Sequence, residues 1–236
     1  MAEKSVQDEA RRLDEARKLI AQVGKIMLDR NLTDLAGGNI SARINDKVLM
    51  SPSYAGTRKF WQLQPEDVFM LDLRGNVLEG GGRVSREAPT HLKLLNAFYP
   101  SGQAVIHSHA RNVLAFCAAR QAIPPVLEYA CKFGEIKLAE YARGGTHSEK
   151  LAENVYQALL GQEERMALQA AAVMVPWHGL FAIGKDLHST LDAVERIEIN
   201  ARCVLYGRLL QGGEKNMKHC QADLARRMKS AGGEGE

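Results

Sequence analysis

The residue pattern predicts an α/β fold in which helices cover a mixed or antiparallel sheet. Three observations carry that expectation. Strand-type apolar segments alternate with amphipathic helical segments along the 236 residues. Several strand-type segments are separated by only a few turn-forming residues, which suits hairpins rather than crossover connections. No internal repeat and no linker interrupts the chain, so residues 1–236 read as one domain.

Residues 8–30 place Leu13, Ala16, Ile20, Val23 and Met27 at helical spacing, with charges between them. Gly37-Gly38 breaks that period. Asn39–Ile44 and Lys47–Met50 then read as two strands around an Asn45-Asp46 turn, and Ser51–Gly56 reads as a loop. Val68–Leu73 and Val77-Leu78 flank Arg74-Gly75-Asn76, a hairpin signal. After Gly80-Gly81-Gly82 a helix is expected from about Ser85, carrying His91, Leu94, Leu95 and Phe98. Ala104–His109 reads as a short strand and Asn112–Arg120 as a helix. Thr146-His147-Ser148-Glu149 fits a capping box that opens a helix to Leu160. Ala172–Val175 and Leu180–Ile183 are strands around Pro176–Gly179, followed by a helix from Leu191 to Leu210. The tail from Gly212 reads as loose beyond Ser230.

Composition narrows the function. The chain is 45% hydrophobic and 25% charged, and its net charge of +3 is spread along it. That is ordinary for a globular protein and too weak a bias for nucleic acid. A chain this long can bury a core without staples. No segment approaches the ~20 apolar residues of a membrane helix. Neither a secretory leader nor a C-x-x-C pair is present, so a cytoplasmic protein with reduced thiols is expected.

The chemistry-bearing residues begin with His107-Ser108-His109. On a strand, residues i and i+2 share a face, roughly 7 Å apart at Cα. Two imidazoles at that spacing can reach one cation, and imidazole suits zinc and similar divalent metals. The same pattern also fits two histidines at a strand end. A catalytic zinc takes three protein ligands, and His178, in a turn between apolar strands, is the best third candidate. Taken alone, His178 reads more readily as a structural residue than as a ligand. Ser85-Arg86-Glu87 follows a glycine-rich loop at a helix start, where N–H groups and the helix dipole favour an anion. A lone glutamate there is normally just a first-turn acid. Gly37-Gly38-Asn39 and Ser51-Pro52-Ser53 are further small-residue loops, each explicable as a turn.

In order, the chain shows Gly38-Asn39-Ile40-Ser41-Ala42-Arg43, Ser51-Pro52-Ser53, Ser85-Arg86-Glu87-Ala88-Pro89-Thr90-His91-Leu92, His107-Ser108-His109-Ala110 and His178-Gly179-Leu180. This ordered set resembles the class II aldolase/adducin family, from about residue 8 to residue 210. The resemblance implies a three-layer α/β/α fold around a mostly antiparallel sheet, with the tail from about 212 outside it. It implies metal ligands at His107, His109 and His178, a catalytic acid/base at Glu87, and zinc (Zn2+) or another divalent ion such as Mn2+ or Co2+. Gly38, Asn39, Ser53, Ser85 and Arg86 fall in its substrate-binding loops, with the loop glycine after Ser53 displaced by Tyr54-Ala55. Tyr129 lies near the position of a catalytic tyrosine contributed by a neighbouring subunit, so a homotetramer is expected.

Arg86 departs from the pattern, since aldolases of the family commonly carry a small hydroxyl residue there. A guanidinium grips a phosphate or a carboxylate with two hydrogen bonds. The resemblance therefore implies a lyase that cleaves a small ketose phosphate through a metal-stabilised enediolate. A dehydratase or decarboxylase acting on a carboxylated or non-phosphorylated hydroxy-ketone is the alternative. Epimerases of the family carry Asp at the Glu87 position, which argues against that activity. A non-catalytic adducin-like module would be expected to lose the histidines.

Overall fold

A computed structural model describes residues 2–142 and 148–231. Its elements are α1 (Ala2–Asp29), β1 (Asn39–Ile44), β2 (Lys47–Met50), α2 (Ala55–Lys59), β3 (Phe69–Asp72), β4 (Val77–Glu79), α3 (Ala88–Ala97), β5 (Ala104–Ser108) and α4 (Arg111–Ala119). They continue with α5 (Glu149–Leu159), α6 (Glu163–Leu168), β6 (Ala170–Val175), β7 (Gly179–Gly184), α7 (Leu187–Leu210) and α8 (Glu214–Ala231).

The seven strands form one sheet in the order β4-β3-β2-β1-β5-β7-β6. Each neighbouring pair is antiparallel. Side-chain alternation splits its two faces cleanly. Ile40, Leu49, Ala104, Ile106, Ala172, Met174, Leu180 and Ala182 pack with Ile20, Val23 and Met27 of α1, Phe116 of α4 and Ile197 of α7. Val48, Met50, Leu71, Val105, Val173, Phe181 and Ile183 pack with Leu94 and Leu95 of α3, Val155 of α5 and Met166 of α6. The result is the expected three-layer α/β/α arrangement. Among the described residues no helix is long and apolar enough to cross a membrane.

Turn chemistry sets the hairpins. Asn45 takes φ 55° between β1 and β2, a left-handed state that asparagine tolerates. Asp72 Oδ1 accepts from the N–H groups of Arg74 and Asn76, both at 2.8 Å, closing the β3–β4 turn.

Several boundaries differ from the sequence expectation. The helix expected from Ser85 begins at Ala88, with Glu87 as its cap residue. The strand expected through His109 ends at Ser108. Thr146 and His147 lie outside the described residues, and Ser148 is the N-cap of α5, accepting from Leu151 N–H at 3.2 Å. The tail forms a helix, α8, for which the sequence reading named no element, and residues beyond 231 lie outside the described ones. Met217 of α8 packs near Gly207 of α7, which gives that helix one anchor.

Helix α4 has no side-chain cap of its own. Buried Glu198 of α7 supplies it instead. Its carboxylate accepts from Asn112 N–H at 2.9 Å and Val113 N–H at 3.0 Å, and from Asn112 Nδ2 at 2.6 Å. These are the orphan donors of a helix start, satisfied across the fold. Glu198→Ala leaves them buried and unpaired. A loss of about 1–3 kcal/mol in unfolding free energy is expected, read from the urea midpoint.

His91 of α3 is fully buried, with Nδ1 2.7 Å from Ser41 Oγ. Burial pushes its pKa down to about 4, against a partly opposing Glu87 charge. The folded state therefore keeps His91 neutral while the unfolded chain takes up a proton near pH 6.5. Stability from this residue is present above about pH 6.5 and is lost as pH falls toward about 4. In His91→Gln, the slope of unfolding free energy against pH should be shallower by about one proton over that window. Urea titrations at a series of pH values check this; an unchanged slope would contradict it.

Candidate metal centre

The site lies at one end of the sheet, where β1, β5 and the β6–β7 turn meet. Pairing sets Asn39 of β1 opposite His107 of β5, and His107 opposite Phe181 of β7. His107 is fully buried and stacks on Phe181, with ring centroids 4.3 Å apart. Its Nδ1–H donates to the Leu180 carbonyl at 3.0 Å. That bond fixes the tautomer and leaves Nε2 as a lone-pair donor.

His109 sits just past the strand end and still turns toward the same point. Its ring centroid is 4.9 Å from that of His107. Its Nδ1 lies 3.3 Å from Asp34 Oδ2. His178 comes from the three-residue turn joining β6 and β7, in which Trp177 takes φ 58°. Its ring centroid lies 4.6 Å from that of His107. The next residue must be glycine: a Cβ on Gly179 would stand 2.5 Å from the Ser108 carbonyl and 3.0 Å from both the His107 and the His109 rings.

Each of the three imidazoles offers one ligand nitrogen, and those atoms lie within 4.8 Å of one another. His107 Nε2, His109 Nε2 and His178 Nδ1 are buried and have no hydrogen-bond partner. Buried nitrogens without a partner are costly, and three clustered rings that each carry one call for a shared partner. A divalent cation is the partner this donor set fits.

Glu87 faces the cluster. Its Oε1 lies 3.0 Å from His178 Nε2 and its Oε2 3.5 Å from His107 Nε2. Asn39 Nδ2 donates to Oε2 at 2.5 Å. Burial pushes the Glu87 pKa up, but the adjacent His107 and His178 rings and the contacts from His178 and Asn39 outweigh it, so the carboxyl sits below its ordinary range. His107 is pushed well below the usual imidazole value by burial, despite the Glu87 charge. A neutral imidazole beside an ionised carboxylate is the state that binds metal.

The cluster opens into a cavity of ≈ 260 Å³. Gly38, Asn39, Ser53, Ser85, Arg86 and Glu87 line it together with His107, His109 and His178. An antiparallel bridge between Pro52 and Val84, with Ser53 N–H donating to the Arg83 carbonyl at 2.9 Å, brings the second and third loops together. Tyr54 lines the cavity in a left-handed conformation, φ 62°, beside the Arg58 guanidinium. Arg86 is exposed and, among the described residues, has no hydrogen-bond or ion-pair partner.

One expectation needs correction. The start of α3 is not an open set of N–H groups: Glu87 N–H donates to Ser85 Oγ at 3.3 Å and Ala88 N–H to the Ser85 carbonyl at 3.1 Å. The Asn39 amide is spent on Glu87 rather than left free in its loop. Tyr129 lies away from this cavity, in the turn Glu128–Phe133, with its ring 5.1 Å from Arg196 Cζ. Sequence reasoning also passed over Asp34, Tyr54 and Thr57. Asp34 had one signal, an acidic residue three positions before a Gly-Gly pair, which suits an Asx turn.

The profile of the class II aldolase and adducin N-terminal domain matches residues 18–205. The chain is 29% identical to 3-oxo-tetronate 4-phosphate decarboxylase of Haemophilus influenzae, over 79% of this chain and 85% of that one. It is 28% identical to 5-deoxy-D-ribulose 1-phosphate aldolase of Bacillus thuringiensis serovar kurstaki, over 80% and 84%. It is 32% identical to L-ribulose-5-phosphate 4-epimerase of Salmonella paratyphi C, over 69% and 71%. A solved L-fuculose 1-phosphate aldolase superposes with a TM-score of 0.73 at 23% identity, over 89% of this chain and 96% of that one. The fold, the ordered motifs and the matched span agree: this chain belongs to the class II aldolase and adducin family.

Proposed function

We propose that this protein is a divalent-metal-dependent lyase that cleaves a small ketose phosphate between the carbons α and β to its carbonyl group. One observation carries the reading: three imidazoles with orphaned nitrogens converge beside the buried Glu87 carboxylate at the floor of a polar cavity. His107, His109 and His178 hold the cation, which we assign as Zn2+, with Mn2+ or Co2+ as substitutes. When bound, it supplies Lewis-acid stabilisation of the negative charge that develops as the carbon–carbon bond breaks.

The protein's own groups do the rest. Glu87, held by Asn39 and kept ionised, removes a proton from the carbon next to the carbonyl in the synthetic direction and returns it on cleavage. Ser53, Ser85 and Arg86 receive the anionic end of the substrate. Tyr129, turned away from its own cavity, serves a neighbouring subunit's site in a homotetramer. The relatives named as aldolase, epimerase and decarboxylase act on small phosphorylated sugars or sugar acids, which supports a cytoplasmic role in carbohydrate metabolism.

A second reading is favoured by Arg86. An unpartnered guanidinium at the cavity mouth suits a substrate carboxylate as well as a phosphate. A decarboxylase or dehydratase acting on a carboxylated hydroxy-ketone follows from it, and the Haemophilus relative's name supports that class. An adducin-like binding module is disfavoured by retention of all three histidines with Glu87.

Metal analysis of the purified protein should find one divalent ion per chain, and His109→Ala should lose it. Glu87→Gln should keep the metal and lower turnover by about 10²–10⁴-fold. A metal-free wild type with undiminished turnover would reject the reading. To separate the two substrate classes, ketose phosphates and 2-hydroxy-3-keto acids are screened for released aldehyde or CO2. Arg86→Ser should improve phosphate esters and harm carboxylates if the second reading holds; the opposite change supports the first.

A further inference from the structure

The three imidazoles are not held alike. His107 Nδ1 meets a neutral backbone carbonyl, that of Leu180. His109 Nδ1 meets a carboxylate, Asp34 Oδ2, at 3.3 Å. The other oxygen of the same carboxylate, Oδ1, accepts from Ala36 N–H at 2.8 Å and Gly37 N–H at 2.7 Å. The Asp34 backbone carbonyl is fixed in turn by the buried Trp61 indole, Nε1 at 3.0 Å. Asp34 is therefore anchored on one side, shapes the 34–38 loop with one oxygen, and reaches a metal-site imidazole with the other.

The loop it shapes lies directly on that imidazole. A Cβ on Gly37 would fall 1.9 Å from His109 Cε1, so only glycine fits between loop and ring. Gly37, Gly38 and Asn39 go on to wall the cavity. His109 lies beyond the end of β5 and lacks the ladder that holds His107, and among the described residues Asp34 is its one hydrogen-bond partner. Its orientation rests on Asp34 and the loop.

We propose that Asp34 is the positioning residue of the metal centre. Its Oδ2 accepts a hydrogen bond from His109 Nδ1–H, which leaves Nε2 facing the cation and raises its donor strength. Its Oδ1 locks the glycine loop against the ring. This inference rests on the metal reading above. A carboxylate behind a ligand imidazole orients the ring and increases its basicity, and loss of such a partner typically costs about 10- to 100-fold in metal affinity.

The test uses the full chain, stripped with a chelator and titrated with Zn2+ against a chromogenic competitor. Asp34→Asn keeps an oxygen for the Ala36 and Gly37 N–H groups but loses the charge facing His109. Thr33→Val is the loop control: Thr33 Oγ1 donates to the Gly37 carbonyl at 2.9 Å and touches the loop without touching His109. Asp34→Asn should bind Zn2+ about 10- to 100-fold more weakly with an unchanged metal-free melting temperature. Its Co2+-loaded form should show shifted visible absorption bands. Thr33→Val should match wild type in Zn2+ affinity and in its Co2+ bands, with a lower metal-free melting temperature. Wild-type affinity in Asp34→Asn overturns this inference alone, and so does an equal loss in Thr33→Val. A wild-type chain that takes up no Zn2+ overturns the metal reading and this inference with it.

Discussion

The site depends on the register of β5 between β1 and β7. That pairing sets Asn39, His107 and Phe181 side by side across three strands. Each then has one task on the same face. Asn39 holds Glu87, His107 presents Nε2, and Phe181 gives the imidazole an apolar bed. Strand side chains alternate with a period of two, so a slip of one residue would send all three to the opposite face. The interior-facing apolar residues on both sides of the sheet hold that register. The cores under α1 and α7 and under α3 and α5 are therefore part of the site's geometry, not a separate scaffold.

A buried carboxylate among three buried imidazoles is an unfavourable thing to build. Desolvation disfavours every charged form there. The fold answers with a His107 that burial keeps neutral and one ionised acid held by Asn39. The remaining imbalance is the set of nitrogens with no hydrogen-bond partner. Residues that cost stability and persist together mark function more reliably than any one of them does.

Much of this was legible in the sequence, for physical reasons. β1 and β2 were bounded correctly because Asn45-Asp46 punctuates a clean alternation. The motifs carrying the clustered His107, His109 and His178 and Glu87 stood out because their residue types are rare in that order. Short helices α2 and α6 were not, since five or six residues are too few to show a helical period. α8 was missed because it has few apolar positions to repeat. The start of α3 was misjudged because Pro89 and the Ser85 hydroxyl delay the helix. The contact of Asp34 with His109 was invisible because its partner is 75 positions away, and a contact of that span leaves no local pattern. For the same reason nothing in the sequence showed that Glu198 would cap α4.

The Glu198 clamp and the central place of β5 also bear on biosynthesis. As the chain leaves the ribosome, β5 emerges with one neighbour, β1, already made. Its other neighbour, β7, comes about 75 residues later, and the carboxylate that closes α4 later still. Until then the strand keeps a naked edge, and its two histidines have no third. Non-local pairings of this kind are slow and leave sticky intermediates. A nascent or truncated chain that stops short of β7 would be both inert toward metal and prone to clump, so the centre can report only on a finished molecule.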